Sequence, residues 1–134
     1  MFEYASSRPF EVIRYAHSHG PLLICNSLKD QAESLNRVEI LFYDVRSVEM
    51  RMWFEGLSIR ESDLIDGEDF ASKPTEMHEI GLRFFLLRGA TWSGYVLAGS
   101  ATVHEEAYSA GKKSHFRQVF ETPQGWEARR SFAE

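Results

Sequence analysis

Three features are scarce in this 134-residue chain: cysteine, long apolar runs and clustered basic residues. The single cysteine, Cys25, cannot form an internal disulfide, so the fold does not depend on one, and a reducing compartment is favoured. Apolar runs such as residues 84–87 are far shorter than the about 20 residues that cross a bilayer as a helix. The N-terminus carries Glu3 and Arg8 and lacks the apolar core of a signal peptide. We therefore expect a cytoplasmic protein without membrane-spanning segments.

Positive charge is too dispersed to serve a polyanionic partner. The chain has 15 Lys and Arg against 20 Asp and Glu, a net charge of −5. Residues 60–80 hold two basic and seven acidic side chains, and 2 − 7 = −5 accounts for the whole imbalance. No basic stripe remains elsewhere to neutralise a phosphate backbone. Neither nucleic acid nor an anionic membrane surface is expected as a partner.

The composition is that of an ordinary globular domain, with 43% hydrophobic and 26% charged residues. The length fits one domain over residues 1–134. Phosphate-binding glycine loops, zinc-ribbon spacings and the His-Glu-x-x-His pattern are missing from the sequence. The acidic residues at 63–69 lack the alternating spacing of an EF-hand loop and read better as a solvated loop. We expect no cofactor and no metal ion.

Alternation with a period of two dominates the second half of the chain and predicts a β-hairpin. Residues 78–88 and 95–106 fold back around a loop at 90–93, so that the numbers of paired residues sum to 183. Phe84 then lies opposite Gly99, and large side chains face small ones across the pair. The face that carries Phe84 and Leu86 is expected to form the core.

A similar pattern in the first half predicts a second hairpin. Residues 38–42 and 48–54 alternate around a short turn at 44–46, which places Phe42 opposite Val48. On the reverse face Glu39 would lie opposite Arg51, an attractive pair. Gly56 interrupts the second strand and predicts a bulge.

The remaining segments complete a mainly β fold. Residues 21–28 predict a buried strand, and residues 62–77 a long loop. Residues 7–19 suit either a short helix or a strand, with the strand slightly favoured, and 116–121 predict a last strand. We expect a single antiparallel barrel or sandwich of about six or seven strands with at most one or two short helices; a β-rich α+β fold is the alternative.

One constellation in the predicted register has the elements of acid–base chemistry. Glu79 lies opposite His104, and Arg83 shares their face, so the carboxylate could orient the imidazole. The same pair is better explained as an outward-facing ion pair at a strand end. The closely spaced His17 and His19 lack a third metal ligand. No nucleophile is placed beside them, since Cys25 sits in an apolar run, so no residue is assigned as catalytic.

Aromatic and arginine side chains give a stronger indication. Trp92 lies at a hairpin tip, and Trp53 falls on the face opposite the core, with Arg88 and Arg51 close to them. Either neighbouring loops cover both tryptophans, or the two side chains mark a contact surface. Exposed tryptophan and arginine are typical of binding hot spots. We expect a non-enzymatic binding or accessory protein that contacts another protein or its own copy. The alternative is a small-ligand-binding β-barrel with weak hydrolase or isomerase activity, using the pair Glu79 and His104.

Overall fold

The computed structural model describes residues 1–16, 20–26, 36–62, 81–107 and 114–116. These residues form eight strands: β1 (Glu3–Tyr15), β2 (Leu22–Asn26), β3 (Asn36–Tyr43), β4 (Ser47–Glu49), β5 (Trp53–Ser62), β6 (Arg83–Arg88), β7 (Ser93–Ala98) and β8 (Ser100–Ala107). No helix occurs among them, and so none that could span a membrane. The predictions for the histidines at 17 and 19, for 63–77 of the long loop and for a strand over 117–121 lie outside the described residues.

All pairings are antiparallel, and the sheet has the order β4-β7-β6-β5-β1-β2-β3-β8. The two end strands are continuations of strands elsewhere in the sheet, because β3 bends into β4 and β7 bends into β8. β3 pairs with β8, and β4 pairs with β7. Hydrogen bonds carry this ladder across the bend, from the Gly99 amide to the Tyr43 carbonyl at 2.9 Å and from the Arg46 amide to the Leu97 carbonyl at 2.8 Å. The sheet thus returns on itself and is barrel-like.

This architecture confirms the prediction of a mainly β, antiparallel fold. The described residues form eight strands instead of six or seven because residues 50–52 separate β4 from β5 and Gly99 separates β7 from β8, where one strand was predicted in each case. Residues 22–26 form the predicted buried strand. Residues 7–15 are strand, as favoured over a helix. Gly56 has a φ of 74° beside a shift in the β1–β5 register, which confirms the predicted irregularity.

One apolar cluster fills the interior of the sheet, and alternating side chains supply it. Buried residues from six strands and partly buried ones from β4 and β8 contribute to it. Phe42 and Phe85 meet edge to face there, with ring centroids 5.3 Å apart. Burying a phenylalanine side chain contributes about 1.5–3 kcal/mol. The interior is therefore a packed core made of side chains from opposite walls.

The predicted hairpin over residues 38–54 is wrong. The chain does not reverse at 44–46; Asp44 takes a φ of 54° and its carboxylate pairs with Arg46 at 3.1 Å, so the strand bends and continues. β3 instead pairs with β2 and β8. The expected pair between Glu39 and Arg51 does not form, since Glu39 lies opposite Cys25 and His104.

The second predicted hairpin exists, in a different register. Phe84 pairs with Leu97, not Gly99, because the loop is shorter than expected and closes with the Gly89 amide donating to the Trp92 carbonyl at 3.0 Å. A slip of two residues keeps the same side chains on the same face. The predicted core face is nevertheless wrong: Phe85 and Leu87 join the interior. The opposite face of the hairpin is also buried, in a cluster of Phe84, Leu86 and Tyr95. Burial by itself therefore does not distinguish the inner face from the outer face.

Candidate functional site

Large apolar side chains are exposed at one end of β1 and β5. Met52 is 66% exposed and Trp53 is 54% exposed. Ile13 and Tyr15, near the end of β1, are exposed as well. These four residues are called the apolar patch below. Apart from Met1, they are the only large hydrophobic side chains that are exposed in the described part of the chain.

Local strand geometry explains why these side chains point outwards. Phe54 is buried in the core, so the adjacent Trp53 faces away from it, as predicted. The β1–β2 register shifts between Val12 and Arg14, which leaves Ile13 at an irregularity. The Val12 amide donates to the Met52 carbonyl at 2.8 Å and holds the two strands together there. The patch thus lies on a hydrogen-bonded scaffold.

Trp92 behaves differently from Trp53, although both were candidate binding residues. Its ring centroid lies 4.9 Å from that of Phe54, and it packs against the interior cluster. A Cβ on Gly89 would meet the Trp92 Nε1 atom, so glycine is needed there for this close approach. The Trp92 side chain is half-buried at the hairpin tip. Trp92 therefore closes one end of the core.

Arg88 lines an open groove beside the β1–β5 bulge. The groove has a volume of about 590 Å³, and its polar lining includes Ser7, Ser58 and Glu55. Two residues of β1, at 7 and 8, lie against the single Gly56 of β5, which separates the strands locally. The Ala90 amide donates to the Glu55 carbonyl at 3.2 Å and fixes the hairpin loop over one side. We call this feature the Arg88 groove.

The other predicted arginines lie apart from this groove. Arg51 is exposed between β4 and β5, next to Met52, and so borders the apolar patch. Arg83 is exposed on β6, opposite Ala98. It does not join His104, because β6 and β8 are not neighbours in the sheet. Glu79 lies outside the described residues.

His104 belongs to a cluster around Glu39 that the sequence did not predict. Glu39 is 1% exposed, and its carboxylate accepts hydrogen bonds from the Ser114 hydroxyl at 2.5 Å and the His115 amide at 2.9 Å. The Phe116 amide donates to it at 3.3 Å. The His104 ring stacks on that of His115, with centroids 3.6 Å apart and planes 8° from parallel. The cluster thus fastens residues 114–116 to the outside of the sheet.

The contacts of this cluster indicate a structural role. His104 Nε2 lies 3.3 Å from the Glu106 Oε2 atom, within ion-pair distance but without hydrogen-bond geometry. The Ser114 hydroxyl is bonded to Glu39. Burial, and next the nearby Glu39 carboxylate, raise the pKa of the Cys25 thiol to about 12, so this side chain is a poor nucleophile at neutral pH.

A signal for the burial of Glu39 is present in the sequence. Leu41 and Tyr43 follow it at a spacing of two and share its face, so a strand carrying them there needs a cover on that side. Both pack with Leu23 and Phe116 in a separate cluster. A carboxylate buried under the same cover needs hydrogen-bond donors from that cover. The source of those donors, residues 114–116, could not be found from spacing because they lie 75–77 positions away.

Comparison with known proteins adds no relative, since no protein-family model, curated protein or solved structure matches this chain. Within the described ranges, no group of three or more His, Cys, Asp or Glu side chains is arranged to hold a metal ion. The surfaces described above are therefore the features that can indicate a function.

Proposed function

We propose that this protein is a non-enzymatic binding protein that contacts another protein through the apolar patch. One observation carries the proposal: four of the five large hydrophobic side chains that are exposed in the described part of the chain lie near the paired ends of β1 and β5. Contiguous exposed apolar surface of this kind is typical of protein interaction sites.

The chemistry of the patch supports the same function. Tryptophan is among the residues that dominate binding energy in interfaces, and methionine adapts to different partners. Arg51 and Arg14 are exposed beside the patch and can hydrogen-bond at its rim. A cytoplasmic location is part of the proposal, supported by the single unpaired Cys25.

The alternative, a small-ligand barrel using Glu79 and His104, has less support. Its ligand would need an enclosed cavity, and the interior of the sheet is filled by packed side chains. His104 lies on the outer face, since Ala101 and Val103 of the same strand pack against the core. There it contacts Glu106 and His115.

Site-specific photo-crosslinking tests the proposal. A photoreactive phenylalanine analogue replaces Trp53 in one variant and the exposed Arg83 in a matched control, both expressed in the native host. We expect a discrete protein adduct from position 53 and none of that mass from position 83. The adduct should weaken when Met52→Ser is added. An adduct of twice the chain mass identifies a second copy as the partner, and equal adducts from both positions contradict the proposal.

A further inference from the structure

The apolar patch and the Arg88 groove lie on one continuous outer face. Trp53 pairs with Glu11, and two residues further along β5 Glu55 pairs with Pro9. After the Gly56 bulge, Ser58 pairs with Ala5 on one side and with Arg88 on the other. No strand crosses this path among the described residues, because β1, β5 and β6 are consecutive neighbours in the sheet.

The length of this face is that of a short extended peptide. Five residue steps separate Trp53 from Ser58, and a strand rises about 3.3 Å per residue, which gives about 16 Å. A bound peptide in an extended conformation covers about the same distance in four or five residue steps. The side chain at one end would contact the patch, and the side chain or terminus at the other would reach the groove.

The groove is suited to a carboxylate. Arg88 is exposed there, and its guanidinium offers a planar set of donors that matches a carboxylate in two parallel hydrogen bonds. The Ser7 and Ser58 hydroxyls line the same groove and add further donors. Glu55 also lines the groove, on its side toward Trp53, so a second acidic group is disfavoured midway along the face.

The open shape of the groove favours a peptide over a free small molecule. Small-ligand sites bury most of the ligand surface, whereas this groove is open to solvent along its length. Affinity must then come from contacts spread over a longer ligand, with an apolar anchor outside the groove. The apolar patch supplies that anchor.

We infer that the partner presents an extended segment with an apolar side chain on Trp53 and a carboxylate on Arg88, four or five positions apart. This inference rests on the proposed function and specifies its partner. An Asp or Glu side chain and a free C-terminus supply the same carboxylate chemistry.

Selection from random peptide libraries tests the inference without a known partner. One library displays internal 12-residue peptides, and a second displays peptides with a free C-terminus. The immobilised targets are the wild-type protein, Arg88→Glu and the matched control Arg83→Glu, which makes the same charge change outside the groove. Peptides enriched on the wild type are then synthesised and titrated against every variant, including Trp53→Ala.

We expect enrichment of an apolar residue four or five positions from an acid, or from the terminus in the second library. Arg88→Glu should weaken these peptides about ten- to hundredfold and select Lys or Arg at the acidic position. Arg83→Glu should leave the affinity within about twofold, as remote surface charges contribute little.

The outcomes separate the two proposals. Peptides that lose affinity with Trp53→Ala but not with Arg88→Glu overturn the carboxylate site and leave the contact surface standing. Peptides indifferent to both substitutions overturn the inference and count against the patch as the contact surface. If no peptide is enriched, the inference fails, and crosslinking at position 53 decides the proposed function alone.

Discussion

Two outer faces of the same barrel-like sheet differ in whether anything covers them. The outer face of β2, β3 and β8, here the covered face, carries Leu23, Leu41 and Tyr43, and Phe116 packs over them. The outer face of β1 and β5, here the open face, carries the apolar patch, which stays exposed. Apolar side chains occur on both, so their presence alone does not determine exposure.

Polar contacts hold the cover in place. The buried Glu39 carboxylate accepts three hydrogen bonds from residues 114–116, and the stacked rings of His104 and His115 lie beside them. These neutral donors satisfy the carboxylate oxygens, and the Arg37 guanidinium, whose Nη1 atom lies 3.9 Å from Glu39 Oε1, supplies the opposite charge. The polar groups of the covered face therefore form hydrogen bonds within the protein, whereas the open face presents apolar groups to solvent. This contrast favours the open face as the contact surface.

The largest expected effect on stability comes from removing the apolar side chain that holds the cover in place. Phe116 is 3% exposed, and Phe116→Ala removes its ring from the cluster with Leu23, Leu41 and Tyr43. We expect the free energy of unfolding to fall by about 3 kcal/mol, measured by urea denaturation. Phe116→Leu is the control and should cost less than about 1.5 kcal/mol. A loss below about 1 kcal/mol for the alanine variant would show that residues 114–116 do not cover this face.

The reactivity of the Cys25 thiol measures how well the covered face is buried. Burial raises the pKa of its thiol from 9.0 to about 12, a difference of three units, so the thiolate fraction at pH 8 is about a thousandfold smaller than in the unfolded chain. The thiolate of a weaker acid is more nucleophilic, which returns about thirtyfold of that loss. We expect iodoacetamide to alkylate native Cys25 at least about thirtyfold more slowly than Cys25 in 8 M urea at about the same pH. Equal rates in the two states would contradict the buried position.

A smaller loss is expected when the central carboxylate becomes an amide. Glu39→Gln keeps the shape, but its hydrogen bonds are no longer charge-assisted and its amide nitrogen faces a donor from residues 114–116. We expect the free energy of unfolding to fall by about 1–2 kcal/mol in urea denaturation. Glu3→Gln, at an exposed position, should change it by less than about 0.5 kcal/mol. If both variants behave alike, the carboxylate is not what holds the segment.

Local alternation was enough to predict the fold class and several strands. The all-apolar residues 22–25 are buried, Gly56 marks an irregularity, and Trp53 faces away from the core. Each of these follows from neighbours within a few positions, where the period of two is decisive. The pairing of residues 84–88 with 93–97 was predicted for the same reason, apart from a slip set by the loop length.

Pairings between distant segments could not be predicted in this way. The bend at Asp44 looks like a hairpin turn in sequence, and only the pairing of β3 with β8, over 57–71 positions, shows that the chain continues. The same limit hid the partners of Glu39, which come from residues 114–116. β6 and β7 are apolar on both faces, so alternation could not tell inside from outside, and Phe84 and Phe85 were exchanged.

The smallest stability effect, and the sharpest test of the open face, concerns two tryptophans. Trp53→Ala should change the free energy of unfolding by no more than about 0.5 kcal/mol, because an exposed side chain loses little packing when truncated. Trp92→Ala is the matched control and should cost about 2–3 kcal/mol, since its ring packs on Phe54. Urea denaturation of both variants measures the difference. A large loss for Trp53→Ala would mean that this side chain stabilises the fold, whereas an unchanged free energy of unfolding combined with weakened peptide binding would show that it acts in binding alone.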